Sequence, residues 1–553
     1  MKKEKSGKLQ TWSKKDIALN IVVYVVNLLV IMGLFILSAY INCFTDGISF
    51  KNYMADVRKP LYLFVMMILC VAIMAVYFFF EDRNFMKSAK NSQMIFTVME
   101  FALIVCYALG KFVNIYLRPL ALVALFTLFL TNRKTAIFTN VIFCLMVLLM
   151  DSFTNSGLDA SYSSLLIGFT SGMLAIYLVG NEFSRWGVVG RSIIISAPTV
   201  IYLTLAHFEY GLPNFLASII SGASSGFLTG VLFFAFISAF ENIFGKVTCF
   251  KLAELTDHKS RLIRKIITEA PGTFNHSIVL SNIAEACALA IGEDSLLART
   301  CAYYHDVGKL RRPEFFMENQ TDKVNPHDDL TPELSTNIIR SHAQDGYQLV
   351  LKHGLPKEIA DVCLEHHGTM PIFYFYGKAK KFTDGEVDIA QYSYYGPKPQ
   401  TKIAAIIMIA DGCEAAVRTL ADRSRDSVTK VVRKIVSDRM ALGQFDECEI
   451  TLKELNIIIN TVVNSLTGVY HSRVEYPTLT LEGITEESPL VSGGQDAKIE
   501  PGLIEPEKKE EPVKEKTESA PVAQKTAKPK TTKSKPKQTV KMQELPIEEK
   551  DEK

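Results

Sequence analysis

The chain has 553 residues, a formal net charge of +2 and 48% hydrophobic residues. Its length predicts several domains rather than one, and its nearly balanced charge gives no sign of a nucleic-acid-binding protein. The ten cysteines are scattered singly without a CxxC pair, which excludes a secreted disulfide framework and indicates reduced thiols.

The first part of the chain has the composition of a membrane domain. A helix needs about 20 apolar residues to cross a bilayer, and eight candidate spans lie at about 17–41, 60–80, 94–114, 117–131, 135–150, 163–181, 191–208 and 215–244. The fourth and fifth are short and are separated only by TNRKT, so they form either a tight hairpin or one irregular re-entrant unit. We therefore expect an N-terminal segment at 1–16 and a transmembrane domain of about eight spans at 17–245.

Positive residues predict the orientation of these spans. Six lysines precede the first span, and the loops EDRNFMKSAK, TNRKT and NEFSRWGVVGR also contain Lys or Arg, whereas DSFTNSGLDASYS and HFEYGLPN contain none. The positive-inside rule then places both termini in the cytoplasm of a multi-pass cell-membrane protein. Few ionisable residues lie inside the spans, which favours an anchor or a sensor over a transporter.

The rest of the chain has the composition of a soluble protein. Apolar residues at helical spacing in 246–270 indicate a connecting helix that ends near Pro271, and 271–485 has the pattern of an almost all-helical domain. Its predicted helices are SIVLSNIAEACALAIG, DSLLARTCAYYHD, ELSTNIIRSHAQDGYQLVLKHG, KEIADVCLEHH, TKIAAIIMIADGCEAAVRTLAD and LKELNIIINTVVNSLTGVYHS. Residues 486–553 lack aromatics and are rich in Lys, Glu, Pro and Thr, which predicts a disordered tail. The expected fold class is all-α: a polytopic transmembrane bundle, a cytoplasmic helical domain and a disordered tail.

Potential metal ligands occur in the helical domain in a distinct order. They are His276, His305, Asp306, His342, His366, His367 and Asp411. A single zinc ion needs only three protein ligands and a water, so five His and two Asp are too many for one ion. Shared between two ions about 3.5–4 Å apart, with a carboxylate bridging them, the number fits. Mixed imidazole and carboxylate ligation suits Mn²⁺, Fe²⁺ or another first-row metal.

Two of these positions are hard to explain as ordinary structural residues. Asp411 lies within the apolar helix AAIIMIADGCEAA, where an unpaired carboxylate would be costly. His366 and His367 are neighbours, and neighbours on a helix point about 100° apart, so they cannot both face one apolar core. They could instead each reach a different ion of a pair. A lone histidine is more often structural, so the interpretation depends on the whole set.

The order H…HD…H…HH…D, with YYHDVGK, resembles the HD-domain phosphohydrolase superfamily. More closely, 246–478 resembles the cytoplasmic domain of the seven-transmembrane HD receptors, the membrane-bound cyclic-di-AMP phosphodiesterases. The matching stretches are EAPGTFNHS, YYHDVGKLRRPEFFMENQ, NPHDDLTPELSTNIIRSH, LEHHGT, FYFYGKA and YHSRVEYP. The spans from 60 to 245 resemble those of that family as well.

The resemblance assigns roles to the candidate ligands. It implies that Asp306 bridges two divalent ions. It also implies that the remaining ligands divide into two sites, His276, His305 and Asp411 in one and His342, His366 and His367 in the other. Family members usually carry a large extracellular domain between the first two spans, whereas only about 42–59 separates them here, too few residues for a folded domain. Ligand sensing by an external domain is therefore in doubt, while the enzyme is unaffected.

The resemblance implies hydrolysis of cyclic di-AMP to linear pApA. Lys309, one turn past the dyad, is a candidate phosphate contact, although a lysine there could equally offset a helix dipole; Arg311 and Arg312 are weaker candidates. Three alternatives stay open: hydrolysis of cyclic di-GMP, hydrolysis of another nucleotide, and a non-catalytic nucleotide-binding membrane receptor. The first is less favoured, because the HHE…DGxGYP signature of the cyclic di-GMP enzymes is absent. The expected partners are a cyclic dinucleotide and the lipid bilayer, not nucleic acid, and homodimer formation is left open.

Overall fold

The computed structural model describes residues 14–81, 85–154, 158–180, 184–320, 325–382 and 386–469. Within these ranges the chain is helical, and its β-pairing is limited to one isolated bridge between Pro371 and Ser393. The predicted all-α class is therefore confirmed. The predicted disordered tail at 486–553 lies outside the described residues, as do residues 1–13.

Ten helices form the first part of the chain. They are α1 (Lys14–Thr45), α2 (Phe50–Met54), α3 (Arg58–Glu81), α4 (Ala89–Phe112), α5 (Leu122–Leu130), α6 (Arg133–Phe153), α7 (Leu158–Val179), α8 (Arg185–Ile195), α9 (Ala197–Tyr210) and α10 (Phe215–Phe244). Six of them (α1, α3, α4, α6, α7 and α10) and the α8–α9 pair are long and apolar enough to cross a bilayer. These helices make this part a multi-pass membrane domain.

The fourth predicted span is not a continuous helix. Helix α5 has nine residues, about 14 Å at the usual rise of 1.5 Å per residue, which is well short of the apolar thickness of a bilayer. A 3₁₀ turn at Ile115–Leu117 precedes it, and Pro119 cannot continue a helix because it lacks an N–H group. The residues just before α5, from Arg118 to Ala121, are buried, as irregular backbone in a membrane must be.

Contacts between helix ends show where this irregular segment runs. Lys111, near the end of α4, pairs with Asp46, just beyond α1, at 3.0 Å. Lys134, at the start of α6, pairs with Glu81, at the end of α3, at 2.7 Å. Because α1 and α3 run in opposite directions through the bundle, these two pairs mark its two ends. The segment between α4 and α6 therefore passes from one end of the bundle to the other.

A buried ion pair fastens this irregular segment. Arg118 Nη1 donates to both carboxylate oxygens of Asp151, at 2.8 and 2.7 Å. The two residues are 6% and 1% exposed, and an added Cβ on Gly110 would lie 2.1 Å from Arg118 Nε, so only glycine leaves room for the guanidinium. An unpaired charge at this depth would be costly. The pair therefore holds α6 against the chain that enters α5.

The connection to the second part of the chain differs from the single helix predicted for 246–270. It consists of two short helices, α11 (Cys249–Leu255) and α12 (Arg261–Glu269). Thr248 accepts a hydrogen bond from the backbone N–H of Lys251 and so caps α11. Pro271 begins the next helix rather than ending the previous one, since a first-turn residue needs no N–H partner.

The second part of the chain is a helical domain with its own apolar core. Its helices are α13 (Pro271–Ile291), α14 (Ser295–Tyr304), α15 (Pro332–Lys352), α16 (Lys357–Glu365), α17 (Phe373–Phe382), α18 (Lys402–Arg418), α19 (Arg425–Ala441) and α20 (Leu452–Val469). Helix α13 is long and apolar enough to span a membrane, but it packs against α14, α18 and α20 in the core of this domain. Helices α17 and α19 were not recognised in the sequence.

Candidate metal centre

The seven predicted ligands come together in the helical domain. His276 lies on α13, His342 on α15 and Asp411 on α18, while two tandem pairs, His305-Asp306 and His366-His367, follow the ends of α14 and α16. They form two groups whose donor atoms lie within 4.8 Å of one another, Asp306, His342, His366 and His367 in one and His276, His305 and Asp411 in the other. Residues spread along the chain therefore meet because five helices pack around one point.

Asp306 lies between the two groups. Its Oδ1 is 3.3 Å from His342 Nε2 and 3.6 Å from His366 Nε2. Its Oδ2 is 3.2 Å from His305 Nε2, in the other group. One carboxylate oxygen thus faces each group, which is the placement that a bridging ligand requires.

The backbone sets the orientation of three imidazole rings. Nδ1 of His305, His342 and His366 faces the carbonyl oxygen three residues earlier in each case, at 2.8, 2.5 and 2.9 Å. Because a carbonyl only accepts hydrogen bonds, Nδ1 carries the proton and donates. Nε2 then presents its lone pair to the centre, as a metal ligand must.

His276 is oriented by a carboxylate that the sequence interpretation missed. Its Nε2 is 3.1 Å from Asp411 Oδ1, and its Nδ1 is 2.7 Å from Glu414 Oε2. Glu414 is 2% exposed and lies three residues after Asp411 on α18, so both carboxylates are on the same side of that helix. That spacing within ADGCEAA is the signal from which Glu414 could have been found.

Loss of the Glu414 charge is expected to weaken metal binding. A carboxylate behind a metal-bound imidazole raises its basicity, and removing such a group typically lowers metal affinity about 10- to 100-fold. We expect Glu414→Gln to fall at the lower end of this range, since the amide oxygen can still accept from Nδ1, and Glu414→Ala at the upper end. Titration of the metal-free full chain against a competing chelator measures this affinity.

The matched control for this substitution is Glu358→Gln, since Glu358 is exposed on α16. Its metal affinity should equal that of the wild type. If Glu414→Ala kept its affinity within a factor of two of the control, Glu414 would not orient a ligand.

The tandem histidines do not separate as their sequence positions suggested. His366 and His367 both lie in the group of Asp306, since α16 ends at Glu365 and the 100° helical separation no longer applies. The ring of His367 stacks on Tyr394, with ring centroids 4.3 Å apart. Burial, with the neighbouring imidazoles, holds the pKa of His367 well below its ordinary value, so its ring is neutral and able to bind a metal.

The arrangement of donors fits divalent cations. His342 Nε2 and His366 Nε2 face each other at 3.3 Å, and two lone pairs at that distance repel unless a cation or a proton lies beside them. Within the described residues, His305 Nε2 and Asp306 Oδ1 are buried without a hydrogen-bond partner, which is unusual for polar atoms. Five imidazoles and two carboxylates therefore form two groups of donors, each of which could hold a divalent ion.

Lys309 lies inside the site rather than at its edge. Its Nζ is 2.6 Å from Asp306 Oδ2 and 2.6 Å from Glu318 Oε1. Burial lowers the pKa of Lys309, but the two carboxylates outweigh it and raise that pKa above the ordinary value. Lys309 is thus a paired cation that holds the metal-facing carboxylate, and a contact between Lys309 and a phosphate stays a prediction.

The two arginines after Lys309 are exposed. Arg311 Nε is 3.3 Å from Asp345 Oδ1. Arg312 follows directly, at the end of the 3₁₀ helix Val307–Arg311. Neither side chain is buried beside the seven ligands, so the structure gives no contact that supports their predicted role.

Two family models match the chain. Residues 59–248 match "7TM receptor with intracellular HD hydrolase", and residues 273–416 match "HD domain". The first match covers α3 to α10, and the second covers all seven candidate ligands.

Curated relatives and solved structures are also similar to the chain. The cyclic-di-AMP phosphodiesterases PgpH of Bacillus subtilis and Listeria monocytogenes are 35% and 37% identical over 77% and 74% of it. These alignments cover 61% and 58% of the relatives, so the chain spans about three fifths of their length. Two crystal structures of the Listeria PgpH HD domain, the second in complex with cyclic-di-AMP, are also similar to the chain, with sequence identities of 47% and 46%. The alignments cover 38% and 39% of this chain and all of each crystallised domain, and the TM-scores are 0.37 and 0.38.

Proposed function

We propose that the chain is a membrane-anchored, metal-dependent phosphodiesterase. The premise is that it belongs to the family of seven-transmembrane receptors with an intracellular HD hydrolase. Its proposed reaction is the hydrolysis of cyclic di-AMP to linear pApA. The observation that carries the proposal is the position of Asp306, with one oxygen toward each of two groups of metal-binding side chains. The substrate is proposed from the similar PgpH phosphodiesterases.

The seven side chains are proposed to hold two divalent ions, Mn²⁺ or Fe²⁺. His276, His305 and Asp411 would hold one, and His342, His366 and His367 the other, with Asp306 shared. Such ions, when bound, lower the pKa of a water between them and neutralise phosphoryl oxygens. These ligand types suit several first-row ions, so they do not single out one metal.

The protein's own contribution is a rigid, largely buried setting. The three backbone-bonded imidazoles keep Nε2 toward the centre. Lys309, which is itself paired with Glu318, holds Asp306 through its Oδ2. In the reaction a water oxygen bonds to phosphorus and the bond from phosphorus to the 3′ oxygen breaks. One proton of the water passes to that 3′ oxygen, and the other stays with the new terminal phosphate. Fixed groups around developing charge speed such a step because they need no reorganisation.

The proposed location is the cell membrane, with eight crossings and the helical domain in the cytoplasm. Asn20, near the start of α1, donates to the carbonyl of Met86 at 2.8 Å, and Arg185 pairs with Glu254 just beyond α10. These contacts support one common face for the start of α1, the positively charged loops and the helical domain. A protease site inserted after Gly245 should be cut by added protease only after the cells are lysed. Cutting in intact cells would place the helical domain outside the cell and contradict the proposed orientation.

The experiment that tests the activity uses the full chain, purified in detergent and loaded with Mn²⁺ or with Fe²⁺ in the absence of oxygen. We expect turnover of cyclic di-AMP to pApA, resolved by chromatography, and much slower turnover of cyclic di-GMP. Equal rates for the two would remove the substrate assignment. Binding without turnover would indicate a nucleotide receptor instead, and metal analysis giving one ion per active chain would contradict the two-metal site.

A further inference from the structure

One arginine beside the candidate metal centre forms no ion pair with any acidic residue in the part of the chain that the structure describes. Arg439 lies near the end of α19, and its guanidinium rests against α18 at Gly412, the residue after Asp411. An added Cβ on Gly412 would lie 2.0 Å from Arg439 Nη2 and 3.0 Å from its Cζ. The guanidinium therefore lies directly against Gly412, one residue from a candidate metal ligand.

The end of α19 is also fastened to the turn that follows the tandem histidines. Gln444, which is 2% exposed, donates its backbone N–H to the carbonyl of Arg439 at 3.0 Å. Its side-chain oxygen accepts from the backbone N–H of Thr369 at 3.0 Å, and its side-chain nitrogen donates to Thr369 Oγ1 at 3.0 Å. Since Thr369 lies two residues after His367, Arg439 is held between the Asp411 helix and the turn after His367.

Among the described residues no carboxylate forms a close ion pair with Arg439, although Asp411 and Asp438 attract its charge from a distance. Its Nη1 donates to the carbonyl of Ile435 on its own helix, at 3.3 Å, and its Nε is buried without a partner among the described residues. Burial lowers the pKa of Arg439. Lys402, another partly buried cation of the domain, is by contrast paired with Glu293 and Glu454. A partly buried guanidinium without a close ion pair is costly, so an anion from outside the described residues is the expected partner.

We infer that Arg439 binds a phosphate group of the substrate. The inference rests on the proposed phosphodiesterase function and deepens it. A guanidinium offers donors in a planar fork that matches phosphate oxygens, and the candidate metal ligand Asp411 is one residue from the helix position that it touches. Lys309 is less suited to this task, because its charge is already paired with Asp306 and Glu318.

The test compares substitutions on one helix in the metal-loaded full chain. Arg439→Met removes the charge but keeps a long side chain, and it should lower kcat/KM for cyclic di-AMP about 10- to 100-fold, the range of a charge-assisted hydrogen bond. Arg439→Lys should lie between wild type and Arg439→Met. The matched control is Arg433→Met, since Arg433 is exposed on the same helix, and it should keep wild-type kinetics.

Two further measurements separate phosphate binding from a structural role. Metal content should stay at two ions per chain in Arg439→Met, and added guanidinium ion should restore part of the activity lost in Arg439→Ala. An Arg439→Met chain that lost metal or kept kcat/KM within twofold of the Arg433→Met control would overturn the inference.

Binding of inorganic phosphate, measured by calorimetry on the metal-loaded chain, does not depend on turnover. We expect about tenfold weaker binding in Arg439→Met and no change in Arg433→Met. If the wild type failed to hydrolyse cyclic di-AMP, the proposed function would fail, while this measurement would still decide the role of Arg439. Equal phosphate affinity in the two variants would refute that role.

Discussion

Replacing Asp306 by alanine should remove metal binding and phosphodiesterase activity together. Asp306 is 2% exposed, and its two oxygens face histidines of both groups at 3.2 to 3.6 Å. Burial raises the pKa of Asp306, but His305 and Lys309 outweigh it and hold that pKa well below the ordinary range, so the ligand is a carboxylate at any physiological pH. Its loss takes a negative charge from both proposed ions, and we expect activity to fall about a thousandfold or more.

The measurement is metal content and turnover on the same preparation. Asp306→Asn serves as a second variant, because it keeps the shape of the side chain and removes only the charge. The matched control is Asp361→Ala, since Asp361 makes its ion pair with Lys357 on the surface of α16 and such pairs contribute little. If Asp306→Ala retained two ions per chain and measurable turnover, the reaction would take place elsewhere.

Replacing Gly308 by alanine should force apart two of the elements that carry ligands. A Cβ added at Gly308 would lie 1.9 Å from the carbonyl oxygen of His342 and 2.6 Å from the backbone nitrogen of Gly346. Those atoms are backbone on α15 and cannot rotate away. Overpacking of this kind typically destabilises by about 1 to 3 kcal/mol, sometimes more, which lowers the melting temperature by roughly 2 to 12 °C in a domain of this size.

We expect the same change to reduce turnover about a hundredfold, because a displacement near 1 Å between catalytic groups has that effect. Asp306 and His342 are the two ligands that the displacement would separate. Thermal unfolding and turnover of the full chain measure both effects. The control is Gly377→Ala on α17, where an added Cβ meets nothing within 4 Å, and this variant should be neutral or slightly more stable. Wild-type behaviour of Gly308→Ala would show that α15 and the 3₁₀ helix can separate freely.

The membrane domain shows where hydropathy is sufficient as a guide and where it fails. Long apolar runs identify the spanning helices because each must cover the bilayer by itself. The segment before α5 is different, since its backbone N–H groups bond within short local turns, such as Leu117 to Asn114 and Leu122 to Pro119, and not along one continuous helix. The Arg118–Asp151 pair is of the same kind. The sequence around Arg118 or Asp151 contains no pattern that predicts its partner.

The helical domain shows a similar division. The metal-binding side chains were recognisable because their residue types and order are chemically unusual for apolar helices. Their division into groups was implied by resemblance, whereas the opposite-facing oxygens of Asp306 are a matter of geometry. Helix α19 has an ordinary polar sequence, so it was missed, and Arg439 was missed with it.

The sequence by itself determined the all-α class, the membrane and helical parts, and the identity of the seven candidate ligands. Each of these follows from local periodicity or from residue type, which the chain carries wherever it folds. Only the tertiary structure decided that Lys309 is paired, that Glu414 supports His276, and that Arg439 lies beside Gly412. These facts depend on which distant segments touch, and the energy of a buried charge is set by those contacts rather than by its neighbours in sequence.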